Sequence, residues 1–242
     1  MASDDSQHPT WGDLAREHLR RHGLLFCGDV QEEVRSRLQR LPAEVRQAFA
    51  VACATRLMAE HERQPPSAQR AFTLGWKPIL DAIWSGLAGP REPTLQLVCD
   101  SLRAFYSGPY FHNDGPDGPD DADEDAAAAS ICAAECFEAG DVESAVWAAS
   151  RALDATCQIA GDELDHTPGP GEPPRVSGPM EFVQELMHPV VQAELRKQLA
   201  DLDSLEQTGV TANSLQRLRQ QARSGLGPIS RPIGGDVREL TS

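Results

Sequence analysis

Apolar residues in this chain recur at helical intervals almost throughout. The clearest run is Trp76, Ile79, Leu80, Ile83, Trp84 and Leu87, whose offsets of 3, 4, 7, 8 and 11 from the first residue trace one continuous stripe. A half-buried strand would need strict alternation, which no run sustains, and β-branched residues are sparse. The expected fold class is therefore all-α: a compact, irregular multi-helix bundle of about eight helices. Trp76, Ile83, Trp84 and Leu87 should be largely buried, with Trp84 near the middle of the core.

Punctuation supports that layout. Pro78 falls in the first turn of the striped helix, where a missing N–H costs little, and Gly89-Pro90 stops it. Shorter helices are expected at 11–22 and 31–40, and Pro42 opens another that reaches about residue 62. Val45, Phe49, Ala52, Cys53 and Leu57 lie on its buried side, and Pro65-Pro66 begins a connecting loop. Leu95, Val98, Leu102 and Phe105 mark a further amphipathic helix. An alanine-rich helix from about 123 to 138 and a partner from 142 to about 159 read as a close hairpin broken at Gly140-Asp141. A long helix over 180–206, striped by Val191, Leu195, Leu199, Leu202 and Leu205, should kink or restart at His188-Pro189. Thr211 can cap a last helix reaching about Arg223. Residues 1–224 are thus expected to form a single helical domain, with a mobile acidic loop at 107–122, a Pro/Gly loop at 165–179 and a loose tail at 225–242.

The charge is distributed very unevenly. Residues 107–174 carry 16 acidic side chains and one basic one, Arg151, while the flanking segments are balanced, so the net charge of −15 arises in the middle. Such a field attracts basic partners and repels nucleic acid and anionic membrane. Residues of that segment that could meet a basic protein are Asp117, Asp120, Asp121, Asp123, Glu124, Asp141, Glu143, Asp162 and Asp165. A solvated acidic surface serving solubility is the alternative. No apolar run approaches the length of a membrane span, and the polar N-terminus has no basic or apolar signal region. A cytoplasmic location is expected, and the six cysteines scattered through apolar segments read as buried free thiols.

Four stretches together carry a resemblance. They are Leu41-Pro42 with Phe49 to Arg56, then Ile79 to Leu87, then Glu124 to Ala127 with Ala145 to Ala149, then His188 to Leu195 with Gln198. In this order they resemble the bacterial domain of unknown function 416 family, over roughly residues 30–206. The resemblance implies an all-helical fold and transfers no catalytic residue. The Gly-Pro-Asp loop at 114–121 and the tail after Gly225 look like local additions.

No chemistry is written plainly in the motifs. The chain lacks a Gly-x-Ser-x-Gly elbow, a P-loop, a dinucleotide fingerprint and a His-Glu-x-x-His helix. His18 and His22, four apart, could face a metal, but Arg16, Arg20 and Arg21 beside them oppose a cation. Cys132 and Cys136 have the same spacing and read more simply as core thiols. The acidic loop does not keep the alternation of a calcium loop. No catalytic, cofactor-binding or metal residue is assigned, and no cofactor is expected. Asp162, Glu163, Asp165 and His166 could do acid–base work in a cleft, or simply solvate a helix end. Asp81 and Arg56 sit beside apolar stripes, which allows a buried or half-buried ion pair. The expected function is a non-enzymatic, protein-binding helical protein, in its sharpest form an immunity protein that neutralises a basic bacterial toxin. The alternative is an enzyme of unknown class with a carboxylate and His166 or His188 in a helical cleft.

Overall fold

A computed structural model describes residues 10–108, 122–164 and 179–226. Eleven helices occur among the described residues: α1 (Trp11–Arg21), α2 (Cys27–Arg40), α3 (Ala43–His61), α4 (Ala71–Gly75), α5 (Lys77–Ala88), α6 (Arg91–Tyr106), α7 (Ala122–Ala139), α8 (Val142–Leu164), α9 (Pro179–Met187), α10 (Pro189–Thr208) and α11 (Ala212–Ala222). The all-α expectation holds, with more helices than the sequence suggests. The nine segments read from the sequence become eleven through α4, whose five residues are too few for periodicity to register, and through the break between α9 and α10, which falls at the expected restart. That break is where Pro189 removes a donor, and His188 recaps the chain through Nδ1, which accepts from the Val190 N–H at 3.4 Å.

Helix α3 is the axis of the molecule. Every residue from Gln47 to Met58 is buried, so this helix is enclosed on all sides rather than amphipathic. It can be enclosed because Ala48, Ala50, Ala52 and Ala54 let neighbours approach closely. The α7–α8 hairpin packs against it through more alanines: Ala126, Ala129, Ala133 and Ala134 from α7, and Ala145, Ala148, Ala152 and Ala155 from α8. Gly140 joins the two helices at φ 68°, and a Cβ there would stand 2.8 Å from the Ala43 Cβ, so this turn requires glycine twice over. The carbonyls left open at the end of α7 are satisfied from outside. Gln47 donates to Phe137 O at 2.9 Å, Arg46 donates to Gly140 O at 2.7 Å, and Arg91 also donates to Phe137 O.

Helix α5 seats the aromatic core. Trp76, Ile83 and Trp84 are 5%, 0% and 3% exposed, but Leu87 is only partly buried because α5 ends one residue later. Trp84 donates its indole N–H to Thr55 Oγ1 on α3 at 2.9 Å. Helix α2 begins at Cys27, earlier than the sequence suggests, since Asp29 in the first turn favours the helix start despite Gly28. Helix α8 runs to Leu164, through Gly161. Gly225 and Leu226, assigned to the tail from sequence, are buried, and the rest of that tail lies outside the described residues. No helix among the described residues is long and apolar enough to cross a membrane.

Candidate functional site

Of the nine acidic residues singled out from sequence, the four whose side chains are described, Glu124, Asp141, Glu143 and Asp162, do not converge. Asp117, Asp120, Asp121 and Asp165 lie outside the described residues, as do the rest of 109–121 and His166, while Asp123 falls in the first turn of α7 with its side chain undescribed. Glu124, half-buried, stands in the same turn, and Asp162 is exposed in the last turn of α8. Asp141 and Glu143 stand at the opposite end of the hairpin, and the 18 residues of α7 separate the two ends by about 27 Å. Several of these carboxylates already have work within the fold. Asp141 Oδ1 accepts from the Ser144 N–H at 2.8 Å and caps α8, and Glu143 pairs with Arg35 of α2.

What α8 does present is an exposed tryptophan. Trp147 is 53% exposed, although Val146, Ala148 and Ala149 beside it are buried. Glu143 stands one turn before it and Asp154 two turns after, at offsets of −4 and +7 that share one helix face. Their side chains are 60% and 55% exposed. Arg35 and Arg151 offset part of this charge, and Arg151 also reaches Asp125 at 3.4 Å. Burial raises the Asp125 carboxyl to about 6, with Arg151 opposing the shift.

A second polar cluster lies inside the bundle. Arg56 of α3, 2% exposed, forks onto Glu194 of α10 through Nε at 3.1 Å and Nη2 at 2.8 Å, and its Nη1 donates to Asp201 Oδ2 at 2.5 Å. Glu194 is fully buried, and its Oε1 also accepts from Gln198 Nε2 at 3.1 Å. Asp81 forms a half-buried pair with Arg219 at 2.5 Å and also meets Arg223 at 3.3 Å. Arg56 thus realises the buried form of the ion pair that the sequence allowed, and Asp81 the half-buried form, each with a different partner. Burial pushes the Asp201 carboxyl up, with Arg56 opposing, and burial lowers the Lys197 ammonium. Lys197 donates to Gly225 O at 2.8 Å. Beside these groups opens a cavity of about 300 Å³ between α10 and the end of α11.

The carboxylate–histidine option takes one concrete form. His188 Nε2 lies 3.1 Å from Glu163 Oε2, while its Nδ1 caps α10. Both ring nitrogens are occupied in positioning α10 against α8. His18 and His22 stack at 4.8 Å between ring centroids, on the exposed side of α1. All six cysteines are free thiols, and burial pushes Cys132 and Cys136 up to about 12. Sequence reasoning missed Glu194, Asp201 and Lys197. The available signal was their spacing, which places Glu194, Gln198 and Asp201 among the stripe residues of α10 and facing Arg56.

The chain matches no protein-family model, and no curated protein matches it. Among solved structures it is similar to a DUF416 family protein from Shewanella baltica, at 18% sequence identity and a TM-score of 0.46, over 78% of this chain and 92% of that one. This is the family whose motifs the sequence resembles.

Proposed function

We propose that the protein acts by binding another protein, a basic one, and that the outer face of α8 is where it does so. The sharpest form of this reading is an immunity protein that neutralises a toxic nuclease, whose own active site must be basic to hold phosphate. The observation that carries it is Trp147. A large aromatic side chain more than half exposed, flanked on its own face by Glu143 and Asp154, has the composition of a binding hot spot for a cationic surface. The net charge of −15 would steer a basic partner in and keep nucleic acid away. The acidic loop residues Asp117, Asp120 and Asp121 would add their charge to the attraction.

The test is affinity capture from the native host with the intact chain, followed by titration of the captured partner against variants. Trp147→Ala should weaken binding by about 2 kcal/mol or more, as at a central aromatic anchor. Glu143→Gln with Asp154→Asn should slow association at low salt and matter little at about 1 M, where screening reaches about 3 Å. Recovery of no basic partner at low or moderate salt would leave the acidity as a solubility device and refute the reading.

A further inference from the structure

The cavity beside Arg56 is a pocket that runs from the buried Arg56 and Asp201 out to the exposed Ala200, Gln221 and Ser224. Lys197, Ala200, Asp201 and Ser204 line it from one face of α10, at offsets of 3, 4 and 7 from the lysine. Gln221 and Ser224 close it from the end of α11, and Arg56 forms the floor.

The charges there are unequally used. Arg56 is fully engaged by Glu194 and Asp201. Asp201 Oδ2 accepts from Arg56, and its Oδ1, open to solvent, accepts no hydrogen bond among the described residues. Lys197 makes no ion pair among the described residues and spends one proton on Gly225 O, which leaves two. The cavity therefore holds one carboxylate oxygen and one ammonium with capacity to spare. They stand one helical turn apart, with Cβ atoms separated by about 5–6 Å. The charged groups around the pocket, Arg56, Lys197 and Arg63 against Glu194, Asp201 and Glu60, sum to zero. A lone anion would leave an excess negative charge in the cavity and a lone cation an excess positive one, whereas a ligand carrying both charges leaves the balance intact.

We infer that this cavity is a binding site for a small zwitterion of the free α-amino acid class. The ligand ammonium is held by Asp201 with Ser204, and the ligand carboxylate by Lys197 with Gln221. The volume of about 300 Å³ stands at the small end for ligand sites, which fits one amino acid and excludes a nucleotide or a peptide of several residues. Ala200 leaves the room that the ligand side chain takes.

The experiment is calorimetric titration of the full-length protein with each common free amino acid. Acetate, methylamine, inorganic phosphate, and the N-acetyl and amide forms of any binder serve as single-charge probes. At least one free amino acid should bind saturably, with a Kd between about 10 µM and 1 mM, and each blocked form should bind at least about tenfold more weakly. Ala200→Leu fills the cavity without touching a charge and should abolish binding while leaving the melting temperature near that of the wild type. Lys197→Met should weaken binding by about tenfold or more, and if that variant does not fold, Ala200→Leu decides alone. Absence of saturable binding by any amino acid up to about 10 mM would overturn the proposal. So would equal binding of the blocked forms or of phosphate, and so would undiminished binding by Ala200→Leu.

Discussion

Replacing Arg56 with methionine tests the buried charge cluster most directly. Methionine retains much of the stem volume and removes the cation. Glu194, fully buried, and Asp201, 6% exposed, then face each other with only the Lys197 ammonium, engaged by Gly225 O, as a neighbouring cation. Breaking a buried pair from one side costs about 3–5 kcal/mol, because the surviving charge cannot recover its hydration. Here two carboxylates lose the same partner, so the upper half of that range applies unless one takes up a proton. In a chain of 242 residues, each kcal/mol lowers the melting temperature by about 2–4 °C, so Arg56→Met should melt about 8–20 °C below the wild type. The companion variant combines Arg56→Met, Glu194→Met and Asp201→Leu. It removes the three mutually paired charges, leaves the half-buried Lys197 ammonium bonded to Gly225 O, and should return to within about 2 kcal/mol of the wild type, since apolar replacement of buried paired charges is often neutral or better. Urea unfolding followed by circular dichroism reads both. A single variant within about 1 kcal/mol of the wild type, or a triple variant worse than the single, would refute the reasoning.

Other substitutions probe the packing around it. Trp84→Ala should cost about 3–5 kcal/mol by urea unfolding, through the cavity it leaves and the lost bond to Thr55, and an unchanged midpoint would mean that α5 faces the wrong way. Gly86→Ala would put a Cβ 2.8 Å from the Thr94 side chain and 2.9 Å from Phe137 Cζ, and should cost about 1–3 kcal/mol where α5, α6 and α7 meet; a neutral effect would show slack there. Asp125 gives a pH signature: its folded carboxyl titrates near 6, above the ordinary 3.8, so the folded state binds an extra proton between those values. This group therefore favours folding in acid and ceases to as pH rises through about 6. Asp125→Asn should stabilise the protein more at pH 7 than at pH 4, and an equal effect at both would contradict the shift.

The helices were legible where one face is apolar and the ends are punctuated. Pro42, Pro78, Gly140 and Pro189 each mark an observed boundary, and Thr211 caps α11 by accepting from the Ser214 N–H. Legibility failed where polar residues turn inward. On α10 the stripe assigned to Leu199 passes instead through Gln198, which is 1% exposed and donates to Ala149 O, while Leu199 is only half-buried. Glu194 follows the same logic. A periodicity argument assigns a glutamate to solvent, and only its guanidinium partner 138 residues away makes burial tolerable. Trp147 was not singled out from sequence at all, since periodicity does not tell whether an aromatic residue on an alanine-rich helix meets a neighbouring helix or solvent.

The acidic segment shows how the two kinds of error are linked. Helices α7 and α8 carry most of its described carboxylates, yet they pack against α3 at the centre of the molecule. They can do both because alanine fills their inward faces and charge is confined elsewhere. Asp141 caps α8, Glu135 accepts from Tyr106, and Asp125 and Glu143 each meet an arginine. The remaining exposed charge is left at the hairpin ends and along the α8 face that carries Trp147. Neutralising that face removes surface pairs worth about 0–1 kcal/mol each, whereas enlarging an alanine beneath it costs about 1–3 kcal/mol. Recognition and folding thus draw on different faces of one helix. A loss of partner binding in Trp147→Ala with an unchanged unfolding midpoint would belong to recognition alone.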